Sequence, residues 1–370
     1  MKQYKIKRRG IVMQNPYSPH GYFAWPTVVR LQNGRLAVGA SGYRVEHIDP
    51  FGKGVIAFSE DEGLTWSIPA PVIDTPLDDR DGGLLAYGKS SLLFSSFNNT
   101  LVMQHCFANM AEKRLEALEG EERAKEMANI SYRRAYIDRM EHEKYEEKYL
   151  GSTYRVSHDC GITWGPIHRA PVSAPHGPVL MQDGTILFVG TATDGRRGIY
   201  CYTIDGEGGS AFLSKIPSIP SDEHGDVNEY EPHAIVLPSG KIIVHIRGEH
   251  RIFGIWQSTS IDGGVTFSVP QMIGGSPLVG APAHLLRHSS GTLVSVVGVR
   301  HAPFGVNVLT SKDDGESWEV GTLITDAACD DVGYPASCEL ADGSIYTVWY
   351  QRATVAENSG ATVHGVSWEL

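Results

Sequence analysis

The sequence predicts an all-β fold, a six-bladed β-propeller with a helical insertion in its second blade, and three observations carry that prediction. A phrase built on Ser-x-Asp-x-Gly recurs four times, as SEDEGLTW from Ser59, SHDCGITW from Ser157, SIDGGVTF from Ser260 and SKDDGESW from Ser311. Between these copies, apolar runs pair across short Gly-bearing turns at intervals of about 50 residues, the period of a four-stranded blade. One stretch, residues 111–150, breaks the rhythm with helix formers and charge.

Each element has a local reason. In the recurring phrase the Asp folds back onto nearby backbone N–H groups, the Gly takes a left-handed turn position and the aromatic ring packs between strands, which describes a hairpin tip. The first two strands of the blades read WPTVVRLQNGRLAVGA from Trp25, DGGLLAYGKSSLLFSSF from Asp81, HGPVLMQDGTILFVG from His176, EPHAIVLPSGKIIVHIR from Glu231, APAHLLRHSSGTLVSVVG from Ala281 and GYPASCELADGSIYTVWYQ from Gly333. Blades three and six lack the Asp phrase. The KQYKIKRRGIVM run before Trp25 is expected to complete the last blade and close the ring, so that residues 1–370 form one domain. Within the insertion, Glu119/Arg123 and Glu121/Lys125 support helix surfaces, and two helices interrupted near Gly120 or Asn129 are expected.

Composition narrows the partners. Lys plus Arg number 32 against 43 Asp plus Glu, a net charge of −11, which argues against nucleic acid and anionic membranes. The basic start is followed by no apolar stretch of signal-peptide or membrane-spanning length, so a cytoplasmic location is expected. The five cysteines lack CxxC spacing and the histidines lack HxH or HxxxH spacing; neither a disulfide framework, a metal nor a cofactor is expected.

Strand direction locates a pocket. If a blade's first strand starts on the upper face, the Asp phrases, which join third and fourth strands, lie on the lower face. The upper face then collects the residues before each first strand and after each second strand. It also collects the insertion, which is expected to act as a lid or as a homo-oligomer contact. The upper-face set includes Trp25, Arg44, Glu46, Asp49, Arg80, Asp81, His176, Glu231, His233, Arg247, His284, Arg300, His301 and Tyr334. Loops ordinarily carry Gly, Ser and Asn, so this density of aromatic and titratable groups points to a site.

The Asp phrases and blade rhythm resemble the Asp-box of the sialidase-like β-propellers, and the resemblance covers all six blades. It implies a Tyr nucleophile at the head of the last blade, which falls on Tyr334, and an activating Glu at the head of the fourth, which falls on Glu231. It further implies an Arg after the following strand, Arg247, and a general acid before the first Asp-box, where Glu46 and Asp49 stand. Two of the three arginines that clamp the substrate carboxylate in that family have no counterpart. Ala24-Trp25-Pro26 replaces the first, and PFGVNVLTS lacks the third, with Arg300 nearby but displaced. Trp25 is expected instead to stack on a different sugar.

The leading expectation is an exo-acting glycoside hydrolase on oligosaccharides, with Tyr334 attacking, Glu231 activating it and Glu46 or Asp49 protonating the leaving group. The small carbohydrate is expected to be held by Trp25, Arg44, Arg80, Asp81, His176, His233, Arg247, His284, Arg300 and His301. The alternatives are an oligosaccharide or polysaccharide lyase using Tyr and His on a uronate, and a non-catalytic glycan-binding propeller.

Overall fold

A computed structural model describes residues 2–221, 226–249, 254–274, 282–354 and 360–370. Six sheets form the blades, in agreement with the fold class read from the sequence. Blade one runs Tyr22–Arg30, Leu36–Arg44, Lys53–Ser59, Ala70–Ile73, and blade two Asp79–Tyr87, Ser91–Asn98, Ser152–Ser157, His168–Arg169. Blade four runs Asn228–Val236, Ile242–Glu249, Gly254–Ser260, Gln271–Met272, and blade five His284–Arg287, Leu293–Val299, Gly305–Ser311, Glu319–Ile324. In blade three the innermost strand is split into Val172–Ser173 and Val179–Leu180, because Pro175, the left-handed Gly177 and Pro178 interrupt the ladder.

The ring closes through the N-terminus. Ile6–Met13 pairs antiparallel with Ala361–Trp368 and completes blade six, whose other strands are Val332–Glu339 and Ile345–Arg352. Lys2–Gln3 adds a short parallel strand to blade five, so the first residues stitch two blades together.

The Asp-boxes lie between third and fourth strands and share one network. In the first, Thr65 donates its backbone N–H (2.9 Å) and its hydroxyl (2.6 Å) to Asp61, while the Gly63 N–H donates to Ser59 Oγ (2.8 Å). These donors hold the Asp61 carboxyl at about 2. Gly63 has φ +80°, and a Cβ there would lie 2.6 Å from the Tyr346 ring of blade six. Gly161 meets Phe58 of blade one and Gly315 meets Ile243 of blade four in the same way. Each box therefore seals its blade against the one before it, and the first box seals the ring at blade six.

The helices begin earlier than the charge pattern suggests. α1 spans Leu101–Arg114, α2 Gly120–His142 and α3 Tyr145–Tyr149. Thr100 caps α1 by accepting from Met103 N–H (3.2 Å). Its first residues, LVMQHCFANM, are too apolar to stand out from the strands around them. α2 runs through Asn129 without a break, and Gly120 with φ +56° marks the junction. Leu101, Ala108, Ile137 and Met140 bury against Leu77, and Phe51 stacks on Tyr132 at 5.1 Å. This packing seats the insertion on the connection from blade one to blade two and on the loop after blade one's second strand.

Candidate functional site

Four blades carry, near the start of their first strand, a non-glycine residue in the left-handed region: Trp25 (φ 56°), Asp81 (φ 61°), Glu231 (φ 48°) and Tyr334 (φ 50°). In each case the register with the second strand slips at that residue, between Ala24 and Thr27, Arg80 and Gly83, Tyr230 and His233, and Gly333 and Ala336. A bulge of this kind turns a side chain out of the sheet alternation, and the strain of a left-handed Trp or Tyr is of order 1–3 kcal/mol. Blades three and five carry Pro175 and Pro282 at the matching place counted back from Gly184 and Gly291, where proline's fixed φ excludes the left-handed form. At Gly82, beside Asp81, a Cβ would lie 2.1 Å from Ala40 N, so blade two can press against blade one only with glycine there.

The bulges bring Tyr334, Glu231 and Arg247 together. The Tyr334 hydroxyl donates to Glu231 Oε1, and Arg247 Nη1 donates to Glu231 Oε2 (2.5 Å) and reaches the Tyr334 oxygen (3.5 Å). Glu249 pairs with the other side of Arg247. Burial would pull the Arg247 pKa down, but Glu231, Tyr334 and Glu249 carry it well above the ordinary value, so this cation is permanent. Burial, with the neighbouring Glu231 anion, pushes Tyr334 well above its usual pKa against the opposing pull of Arg247 and Arg300. The resting phenol is therefore neutral.

Arg300 also belongs to the site. Its guanidinium carbon lies 5.8 Å from the centre of the Tyr334 ring, with Nε donating to Val332 O (3.0 Å) and Nη2 to the Tyr350 hydroxyl (3.1 Å). Among the described residues no carboxylate pairs with it. With Arg247, the site thus holds two guanidiniums beside Tyr334.

Several expected substrate contacts are instead internal. Trp25 is 1% exposed: Arg80 covers one part of its ring at 3.7 Å, Arg44 lies at 4.9 Å and His47 meets it edge-on, so no face is open for a sugar. Arg44 is fully buried with its donors spent on Asp78 (2.5 Å), Ser41, Glu46 O and His47 O. Arg80 donates to His47 O (2.7 Å) and braces the Trp25 ring. His301 is exposed on a turn and makes no contact with the cluster.

Neither proposed acid fits. Asp49 is fully buried and accepts the Val45 and Phe51 N–H groups (both 2.7 Å), which makes it the brace of its own loop. Glu46 is clamped by Arg133 of α2 and by Arg114 of α1 (2.9 Å), so it anchors the insertion. Sequence spacing alone offered no sign of these partners.

His176, His233 and His284 do converge, with ring centres 4.3–5.7 Å apart at the axis and His176 6.4 Å from Tyr334. His233 accepts from Leu285 N–H (2.9 Å) and His284 from Ser337 N–H (3.3 Å), so each is tied to the next blade. Burial lowers all three well below the ordinary imidazole pKa, which leaves a neutral layer rather than cationic ligands. His233 and His284 face a tunnel of about 380 Å³ lined by the lower halves of the first strands.

Asp81 stands apart from these. It is 5% exposed, makes no side-chain hydrogen bond among the described residues, and lines a cavity of about 300 Å³ with Glu231 and Tyr230. Burial pushes its carboxyl up to about 7, with Arg80 opposing and Glu231 reinforcing.

The residue that sequence reading missed is Asp331. It accepts from the hydroxyls of Tyr22 and Tyr350 (both 2.8 Å) and from Arg352 (2.9 Å), and His47 lies at 3.2 Å. Through Tyr350 it holds Arg300 in place. The prolines that follow Trp25, Glu231 and Tyr334 were the legible sign of the bulges, since a proline inside a strand has no N–H to give the ladder.

The family described as BNR repeat-like domain matches residues 138–347, more than half of the chain. Curated proteins give no match. Among solved structures, a protein of unknown function from Dyadobacter fermentans is similar at 18% identity and a TM-score of 0.74, covering 99% of both chains. The NanB sialidase from Streptococcus pneumoniae is similar at 13% identity and a TM-score of 0.63, over 98% of this chain and 70% of that one. The Hadza microbial sialidase Hz136 is similar at 14% identity and a TM-score of 0.60, over 94% of this chain and 66% of that one. At these identities the likeness speaks for the fold alone.

Proposed function

The chain belongs to the BNR repeat-like family and has the sialidase-like propeller fold, and from that premise we propose that it is a glycoside hydrolase with Tyr334 as nucleophile. The observation that carries this reading is the Tyr334 hydroxyl donating to Glu231 while Arg247 bonds both. A phenol whose pKa is raised by burial attacks only if a base takes its proton during the attack, and Glu231 is placed to do so. The developing negative charge is met by Arg247 at the phenol oxygen and by Arg300 over the ring.

The reaction is exo-acting on this reading. Tyr334 is 6% exposed, a depth that the end of a glycan reaches and the middle of a chain does not. Trp25 with Arg80 stands where a third carboxylate-clamping guanidinium would be, which favours a terminal sugar other than sialic acid, selected by Arg300. A panel of nitrophenyl glycosides, sialosides and uronate oligosaccharides tests the proposal. The expected result is release of a free sugar with no ultraviolet absorbance from an unsaturated product, and loss of turnover in Tyr334→Phe. Full activity in that variant, or an unsaturated product, contradicts it.

A further inference from the structure

We propose that Asp81 is the proton donor of this site and that the cavity of about 300 Å³ beside it, between blades two and three, receives the departing part of the substrate; the proposal rests on the hydrolase reading above. Asp81 heads its blade on the same left-handed bulge as Glu231 and Tyr334, so the fold aims all three by one device. Among the described residues its carboxyl has no hydrogen-bond partner to hold it, whereas Glu46 is clamped by two arginines and Asp49 accepts two backbone N–H groups. It shares the cavity wall with Glu231, and the opposite wall comes from Thr100 and Leu150, the two roots of the insertion, with Thr193 at the rim.

The charged groups facing Asp81 are Arg80 and Arg44, which favour its anion, and Glu231 and Asp78, which oppose it. Burial outweighs them and brings the carboxyl to about 7, where it can both give and take a proton. The step balances. The Tyr334 oxygen bonds to the anomeric carbon as its proton passes to Glu231; the bond to the aglycone oxygen breaks, and that oxygen leaves with the electron pair and the Asp81 proton. Water then attacks the tyrosyl-linked carbon, giving its proton to the Asp81 carboxylate while the phenol recovers its own from Glu231.

Asp81→Asn tests the role, and Asn tolerates the left-handed backbone that this position requires. With glycosides of the sugar selected by the panel, kcat/KM for a methyl glycoside is expected to fall about 10²–10⁴-fold, and for a 2,4-dinitrophenyl glycoside, which needs no protonation, less than about tenfold. The basic limb of the methyl glycoside profile is lost with it. Equal losses on both leaving groups overturn the proposal, and if Tyr334→Phe is inactive in the same assays the hydrolase reading stands without it. Thr193→Phe is expected to raise KM for a disaccharide relative to the methyl glycoside; an unchanged ratio removes the cavity from the account. Carbon-13 titration of labelled Asp carboxyls needs no substrate: one resonance titrating near 7 should vanish in Asp81→Asn and move to lower pH in Glu231→Gln. If Asp81→Asn removes no carboxyl titrating between about 6 and 8, Asp81 is not the donor.

Discussion

The Tyr334 hydroxyl donates its hydrogen to Glu231, a residue 103 positions earlier and two blades away around the ring, and Arg247 reaches both oxygens. Since the buried phenol is held neutral, the phenolate never accumulates and the base must act in the transition state. Glu231→Gln is therefore expected to lower kcat by about 10²–10⁴-fold while KM changes little, as steady-state kinetics will show.

Asp81 costs the fold stability at neutral pH. Its folded pKa is raised to about 7, above an unfolded value near ~3.9, so its contribution is fully present below the unfolded value and is lost as pH rises through 7. Asp81→Asn is expected to be more stable than wild type at pH 8 by an amount on the order of 4 kcal/mol, and so to melt at a higher temperature, with the gain vanishing below pH ~4. Thermal melts at the two pH values check the sign.

Glu46 anchors rather than reacts. Glu46→Gln leaves the buried Arg133 without its counter-charge, a defect of about 3–5 kcal/mol concentrated at the insertion. Faster proteolysis between Leu115 and Gly120 is the expected result, together with a leaving-group dependence like that of wild type. Limited proteolysis and paired kinetics with methyl and dinitrophenyl glycosides measure both.

The Arg44–Asp78 pair, at 2.5 Å and with both side chains fully buried, is scaffold. Arg44→Ala abandons Asp78 in the core and should cost about 3–5 kcal/mol in denaturant unfolding. Were Arg44 a substrate ligand, the same variant would raise KM without moving the unfolding midpoint.

The blades were legible because their signals are local: a Gly turn between two apolar runs, and an Asp that folds onto the Thr four residues on. Tyr334 and Glu231 stood out because each heads such a run, although nothing in the sequence reveals that their side chains touch. Trp25 and Arg44 misled because exposure is set by what packs on them in space; Arg80 and Asp78 reach them from the head of blade two, and His47 from the loop of their own blade. Glu46 misled for the same reason, since Arg133 reaches it from α2, 87 residues later. Asp331 was invisible because its four partners come from three separate segments.

The central claim is that Tyr334 bonds covalently to the sugar. Incubation with a fluorinated glycosyl fluoride of the sugar selected by the panel, followed by digestion and mass spectrometry, tests it most directly. The account predicts one peptide carrying the glycosyl mass on Tyr334, absent from Tyr334→Phe. Labelling of another residue, or turnover of the reagent with none of the peptides labelled while Tyr334→Phe keeps its activity, contradicts it.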